Sequence, residues 1–141
     1  MDVKVCNIIR MYQNIKGKHH DVMFLDQIIL LLMRRAYIHL IERKIMTARK
    51  ILVDVKLFLK MIENGKIGFS TDYKEREGCP AIPFCILKQK YLMMKGLLAN
   101  EFGKTDIAVK KYIKLLNYGH ILKPRLYKEA LCLLKDALLK S

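Results

Sequence analysis

The stretch LMMKGLLANEFGKTDIAVKKY, residues 92–112, decides the fold. Within it the small residue Gly96 is followed twelve positions later by Ala108, and four positions after that by Tyr112. Apolar residues recur on both sides of Gly103 at intervals of three and four, which is the spacing of amphipathic helices. The segment therefore predicts two antiparallel helices joined near Gly103, with small residues where their backbones approach closely.

The same spacing occurs earlier in the chain. Ala36 is followed twelve positions later by Ala48, and four positions beyond that by Leu52. A pattern that is present twice indicates a helical-repeat scaffold, an architecture whose usual role is to hold another protein. The predicted fold class is therefore all-α, built from antiparallel helical hairpins.

Start and stop signals divide the chain into segments. We predict a single helical-repeat domain over residues 1–141 with four parts: a hairpin at 21–63, a loop at 64–81, a second hairpin at 82–119 and a capping helix at 123–140. Asp21 is the expected N-cap of the first hairpin, and Asn64 with Gly65 is its expected end. The periodicity also predicts a short amphipathic helix within residues 1–15.

The composition excludes a disordered tail, because 52% of the 141 residues are hydrophobic and a chain of this length buries a substantial core. The formal net charge is +14, from 27 Lys and Arg against 13 Asp and Glu. Such a charge favours polyanions or acidic proteins as partners. The basic residues are spread along the chain without a long run, so a solvated basic surface stays open as the alternative.

The sequence contains no recognisable motif for catalysis or for binding a metal or cofactor. The segment 65–68 is too short for a phosphate-binding loop and lacks its Lys-Ser/Thr ending. His19 and His20 have no further ligands at suitable spacing, so we expect a solvated pair. We therefore predict a protein that is not an enzyme and that needs no metal or cofactor.

Cysteine usage and the apolar runs indicate the compartment. The four cysteines form neither a disulfide framework nor a C-x-x-C pair, which favours a reducing environment. The apolar run at 28–33 is far too short for a membrane span, and residues 1–15 lack a secretory apolar core. We expect an intracellular, cytoplasmic protein without a membrane span.

The second hairpin carries a more specific pattern. Gly96 and Ala108 are the small residues of its two helices, Tyr112 is the aromatic residue of the second helix, and Gly103 lies at the turn. Leu92 occupies the place of a first-helix aromatic. On these residues the hairpin resembles a tetratricopeptide repeat.

The first hairpin matches this pattern less closely. Ala36 and Ala48 fit the two small positions, while Leu52 stands at the aromatic one. His39 and Ala99 replace the family's first-helix tyrosine in the two hairpins. The two copies are also sixty positions apart, whereas repeats of this family follow each other at about thirty-four. A generic array of helical hairpins is the alternative.

The resemblance implies a TPR-like stacked array with a C-terminal capping helix, in which the first helices line a concave surface. It places eight residues on that hypothetical binding groove: Met33, Arg34, Tyr37, Lys90, Met93, Met94, Leu97 and Asn100. Flexible methionines adapt to varied shapes, so such a groove suits an apolar or amphipathic segment of a partner. The alternative is that these Met and Leu residues form the core.

The predicted function is a non-catalytic scaffold or adaptor that binds a protein partner. Two hairpins are fewer than such arrays usually contain, so we also expect a subunit of a larger complex or part of a longer chain. The alternative function is a basic helical subunit that binds RNA or a nucleoprotein through Lys110, Lys111 and Lys114, with Tyr112 among them.

Overall fold

The computed structural model describes residues 25–64, 82–118 and 124–140. These ranges form five α-helices packed sequentially as adjacent pairs: α1 (Leu25–Ile41), α2 (Ile45–Glu63), α3 (Phe84–Glu101), α4 (Thr105–Leu116) and α5 (Pro124–Lys140). The predicted all-α class is confirmed. The helix expected within residues 1–15, the expected N-cap Asp21 and the loop beyond Asn64 lie outside the described residues.

The helix ends lie close to the predicted positions because residues with special backbone preferences mark them. Pro124 opens α5, where its fixed φ and missing N–H are compatible with the first helical turn. Asn64 follows the last residue of α2, and its N–H donates to the carbonyl of Lys60 at 2.9 Å. Gly103 follows α3 after a single intervening residue and has a positive φ of 74°.

The chain divides into two compact units, Met1–Leu87 and Lys88–Ser141, with the division inside α3. In the first unit α1 packs against α2. The apolar residues that this unit buries are Ile29, Leu32, Met33, Ala36, Leu40, Ala48, Ile51, Leu52, Val55, Phe58, Leu59 and Leu87. Their spacing of three and four along each helix places one face of α1 and one face of α2 in the core.

In the second unit residues of α3, α4 and α5 meet in two apolar clusters. The buried members are Leu92, Met93, Leu115 and Ala130 in one cluster, and Ala99, Ala108, Tyr112 and Ala137 in the other. Leu133 of α5 packs against both. The last helix therefore packs Ala130, Leu133 and Ala137 against the second hairpin.

The turns of the two hairpins have the same backbone geometry. After α1, the Lys44 N–H donates to the His39 carbonyl at 2.8 Å and the Arg43 N–H donates to the Leu40 carbonyl at 3.1 Å. This pair of bonds is a Schellman motif, which requires a left-handed residue after the helix. Arg43 is that residue, with φ 64°.

Sixty positions later the same bonds recur. The Lys104 N–H donates to the Ala99 carbonyl at 2.9 Å, and the Gly103 N–H donates to the Asn100 carbonyl at 3.0 Å. The residues that follow the left-handed position are also alike, with φ and ψ of −89° and 66° at Lys44 and −92° and 67° at Lys104. The likeness between the hairpins thus extends from spacing to turn conformation.

The repeated small residues are buried in both hairpins. Ala36, Ala48 and Leu52 have no exposed surface. In the second copy Gly96, Ala108 and Tyr112, which correspond to them, are also buried. The expectation that Ala36 and Gly96 lie at close helix contacts, away from water, agrees with this burial.

Candidate functional site

The predicted groove residues of the first unit differ in accessibility. Met33 is only 3% exposed and belongs to the core of α1 and α2. Arg34 and Tyr37 are exposed. Of these three, the structure therefore leaves Arg34 and Tyr37 available to a partner, while Met33 packs inside.

The predicted groove residues of the second unit also differ in accessibility. Met93 and Met94 are 8% and 7% exposed, and Met93 lies in a core cluster with Leu92 and Leu115. The remaining predicted groove residues of α3, namely Lys90, Leu97 and Asn100, are half-buried. The methionines are thus packing residues in this structure, as the core alternative proposed. A groove shared by α1 and α3 residues stays a prediction.

An exposed apolar surface runs along α1. We define the α1 stripe as Leu31, Arg34, Tyr37, Ile38 and Ile41, each of which lies three or four residues from another member on the exposed side of the helix. Leu31 and Ile41 are 60% and 63% exposed, and Tyr37 and Ile38 are exposed by about half. The sequence placed Arg34 and Tyr37 of this stripe in the predicted groove, but not Leu31 or Ile38.

The α1 stripe is unusual because the opposite face of α1 is apolar as well. Ile29, Leu32 and Ala36 are buried there against α2 and its surroundings. A helix that is apolar on both sides is normally covered on both sides. Contiguous exposed apolar residues of this kind mark interaction surfaces.

A second exposed surface lies on α2. Met46, Val53 and Leu57 are each exposed by about half, at spacings that place them on one face. Exposed cations accompany them along the same helix: Arg49, Lys50, Lys56 and Lys60. The surface is therefore both apolar and basic, unlike the α1 stripe, which carries a single cation.

The residues predicted for RNA binding do not form one exposed face. Lys110 and Lys114 lie one turn apart on the solvent side of α4, but Lys111 is half-buried. Tyr112 is fully buried, so it has no face on which a base could stack. Asp106 is exposed one turn before Lys110 and reduces the positive potential of this face.

Several buried polar groups escape prediction from sequence. The Asp26 carboxylate, 1% exposed, accepts a hydrogen bond from the Ile82 N–H at 2.8 Å. Gln89 is completely buried and its side-chain amide has no hydrogen-bond partner among the described residues. The repeat spacing could have predicted that Gln89 is buried, because the core residue Ile29 stands at the equivalent position sixty residues earlier.

Two tyrosines of the second unit have altered acidity. Burial away from water raises the pKa of Tyr112 to about 12 and that of Tyr91 to about 12. The Tyr112 hydroxyl lacks a hydrogen-bond partner within the described ranges, so nothing there stabilises its anion. This tyrosine stays protonated at neutral pH and serves as a packing residue.

Residues 25–64, 82–118 and 124–140 contain no group of three or more His, Cys, Asp or Glu side chains arranged to hold a metal ion. No helix in the same ranges combines the length and apolar character that crossing a bilayer requires.

Comparisons with protein-family models, with curated proteins and with solved structures returned no match to this chain.

Proposed function

We propose that this chain is a non-catalytic protein-interaction module, a scaffold or adaptor that binds an apolar or amphipathic segment of a partner protein. The observation that supports the proposal most directly is the exposure of the α1 stripe on a helix whose other face is already in the core. In the finer form of the proposal the two hairpins stack as a TPR-like array, with α5 as its capping helix.

The composition of the α1 stripe favours a protein partner. Aliphatic side chains exposed to this extent each gain on the order of 1 kcal/mol when a partner covers them. Tyr37 and Arg34 are residue types that often dominate the binding energy of interfaces. The single guanidinium among the aliphatic residues also offers a directional hydrogen bond to a carboxylate or carbonyl of the partner.

The test compares two double variants of the full chain. Ile38→Glu with Ile41→Glu places two charges in the α1 stripe, whereas Leu131→Glu with Leu139→Glu makes the same chemical change on α5, at residues that are 41% and 75% exposed. The wild-type chain is used to isolate a partner at moderate salt, and the affinity of that purified partner is then measured for each variant by calorimetry.

We expect the stripe variant to bind about tenfold more weakly or worse, which is about 1.4 kcal/mol. The α5 variant should bind as the wild type does. Equal affinity of all three chains, or equal loss in both variants, would refute the role of the α1 stripe. Met93→Glu is unsuitable for this test, because a charge at that core position would unfold the second unit.

Nucleic-acid binding is the alternative function, supported by the net charge and by the exposure of Lys110 and Lys114. It predicts an affinity for single-stranded RNA that falls steeply with salt. Lys110→Glu with Lys114→Glu would then weaken RNA binding, while Ile38→Glu with Ile41→Glu would leave it unchanged. The opposite pattern, loss of a protein partner only in the stripe variant, favours the module proposed above.

A further inference from the structure

The exposed face of α2 has the spacing of a coiled-coil seam. Met46, Lys50, Val53, Leu57 and Lys60 follow one another at intervals of four, three, four and three residues. This is the alternation of the a and d positions in a heptad repeat, which keeps side chains in line along one face of a helix. We call these five residues the α2 seam.

The α2 seam is separate from the core of its own unit. The buried residues of α2 are Ala48, Ile51, Leu52, Asp54, Val55, Phe58 and Leu59. None of them belongs to the seam, so the fold of the first unit does not require the seam to be covered. A heptad pattern on a face that the core does not use points to an external helix.

The charges beside the seam indicate what that helix carries. Arg49 and Lys56 occupy the flanking g positions of the same heptads, and Lys50 and Lys60 lie within the seam itself. The only exposed carboxylate on α2 among the described residues is Glu63, at its last position. A lysine at a seam position is stabilised when the opposite helix supplies a carboxylate.

We infer that the α2 seam docks an acidic amphipathic helix of a partner protein, with aliphatic residues facing Met46, Val53 and Leu57 and carboxylates facing the cations. The inference adds a second binding surface to the proposed function, and it rests on that function only in taking the occupant to be a protein. A second copy of the chain fits poorly, because it would place these cations opposite one another.

The partial exposure of the seam residues favours a helix over a lipid surface as the occupant of the seam. Val53 is 49% exposed and Leu57 45%, so each side chain is already partly covered by its own helix and neighbours. Side chains in this setting fit between the ridges of another helix. Insertion below lipid headgroups instead requires apolar side chains that reach about 5–10 Å into the bilayer.

The probe is a designed peptide of about three heptads, with Leu at a and d and Glu at e and g. Its glutamates repel one another between copies and keep the peptide monomeric at neutral pH. The control peptide has the same composition in an order that destroys the heptad. Binding of both peptides to the 141-residue chain is measured by fluorescence anisotropy.

Two charge-reversed variants provide the matched comparison. Lys50→Glu with Lys60→Glu alters the seam, and Lys110→Glu with Lys114→Glu makes the same net charge change on α4. A third variant, Val53→Asp, tests the apolar part of the seam. All five positions are exposed, and thermal melting by circular dichroism confirms that each variant is folded.

We expect the acidic heptad peptide to bind at least about tenfold more tightly than the permuted peptide, a difference of about 1.4 kcal/mol. The seam reversal and Val53→Asp should each weaken its binding by a similar factor, while the α4 reversal should change it less than about twofold. A variant of the α1 stripe should not affect the peptide. Loss of the natural partner in that variant therefore tests the proposed function independently.

Several results would overturn the inference. Equal binding of the two peptides, or equal weakening by the two charge reversals, would show general attraction to a basic chain. Absence of peptide binding would remove the seam as a helix site. Binding of phosphatidylserine vesicles, binding of RNA, or self-association in sedimentation that is lost in Val53→Asp would assign the seam to a different occupant.

Discussion

Gly96 of α3 lies directly against the aromatic ring of Tyr112 of α4. A Cβ atom added to Gly96 would lie 2.8 Å from the ring Cζ and 2.9 Å from Cδ1, and closer still to Cε1. At the equivalent positions sixty residues earlier the pair is Ala36 and Leu52. The second hairpin thus combines a smaller first residue with a larger second one.

Because a smaller residue at one position accompanies a larger one at the other, we expect substitutions at Gly96 and Tyr112 to have strongly coupled effects on stability. Gly96→Ala alone should destabilise the second unit by about 1–3 kcal/mol, because the methyl group overlaps the ring by more than the helix propensity of alanine offsets. Tyr112→Leu alone should also destabilise it, through the cavity that replaces the ring. Together the two substitutions recreate the combination of the first hairpin and should restore about 1 kcal/mol or more.

Urea denaturation of the four chains in this double-mutant cycle measures the coupling. We expect the cycle to give a coupling free energy between positions 96 and 112 that is stabilising, whereas each single substitution is destabilising. Additive effects would mean that the contact between Gly96 and the ring does not control the approach of the helices.

The two turns make a different prediction, because they place different residues in the same left-handed conformation. Arg43 has φ 64° and Gly103 has φ 74°, and a left-handed backbone costs a non-glycine residue about 1–2 kcal/mol. No heavy atom lies within 4 Å of a Cβ built on Gly103, so Gly103→Ala has only a backbone effect. We expect it to lower the free energy of unfolding by about 1 kcal/mol.

The reciprocal substitution, Arg43→Gly, should raise the free energy of unfolding. Arg43→Gly removes the backbone penalty, while the loss of the Arg43 side-chain interaction and the greater entropy of glycine in the unfolded chain reduce the gain to about 0.5 kcal/mol or less. Thermal melting of both variants tests the pair. Stabilisation by Gly103→Ala, or destabilisation of more than about 1 kcal/mol by Arg43→Gly, would contradict the assignment of this conformation.

The boundaries of the helices could be predicted from the sequence because local chemistry determines them. Gly103 and Pro124 have backbone preferences that act within one or two residues, whatever the rest of the fold does. The paired small residues Ala36 and Gly96 were equally informative, since a buried contact between helices requires a small side chain in either hairpin.

The division of apolar residues between core and surface could not be predicted in the same way. Helix α3 has the consecutive apolar residues Met93 and Met94, with Leu97 and Leu98 one turn later, so its periodicity does not select a single face. Burial of Met93 depends on α4 and α5, which supply Leu115 and Ala130 to the same cluster. That information lies in tertiary packing.

The contact between Asp26 and Ile82 has no local signal either, because 56 positions separate its partners. A charged acceptor in a buried hydrogen bond contributes about 1.5–3 kcal/mol. Asp26→Ala should therefore destabilise the first unit by about 2 kcal/mol. Asp26→Asn keeps an oxygen that can accept from the Ile82 N–H and should be less damaging.

Hydrogen exchange followed by NMR tests this contact at the amide itself. Exchange of the Ile82 N–H should accelerate markedly in Asp26→Ala and only slightly in Asp26→Asn. If the Ile82 amide exchanged at the same rate in all three chains, the hydrogen bond would not hold this segment to α1, whatever the change in global stability.

The hydroxyl of Tyr112 leads to a prediction about pH. Burial raises the pKa of Tyr112 to about 12 from the ordinary value of 10.0, so the folded state retains the proton more tightly than the unfolded state does. The resulting stability is fully present below about pH 10 and is lost as the pH rises toward 12. A difference of this size amounts to on the order of 2 kcal/mol.

Tyr112→Phe isolates this contribution, because the ring remains and only the hydroxyl is removed. At pH 7 we expect the variant to be as stable as the wild type or more stable by about 1 kcal/mol, since the hydroxyl has no partner among the described residues.

The pH dependence is measured by urea denaturation of both chains between pH 8 and about 12. The difference between the two chains at each pH removes the effect of lysine titration, which both chains share. The wild type should lose stability relative to Tyr112→Phe above about pH 10. Parallel pH profiles would show that water reaches the hydroxyl, and would therefore contradict the burial of Tyr112 between the helices.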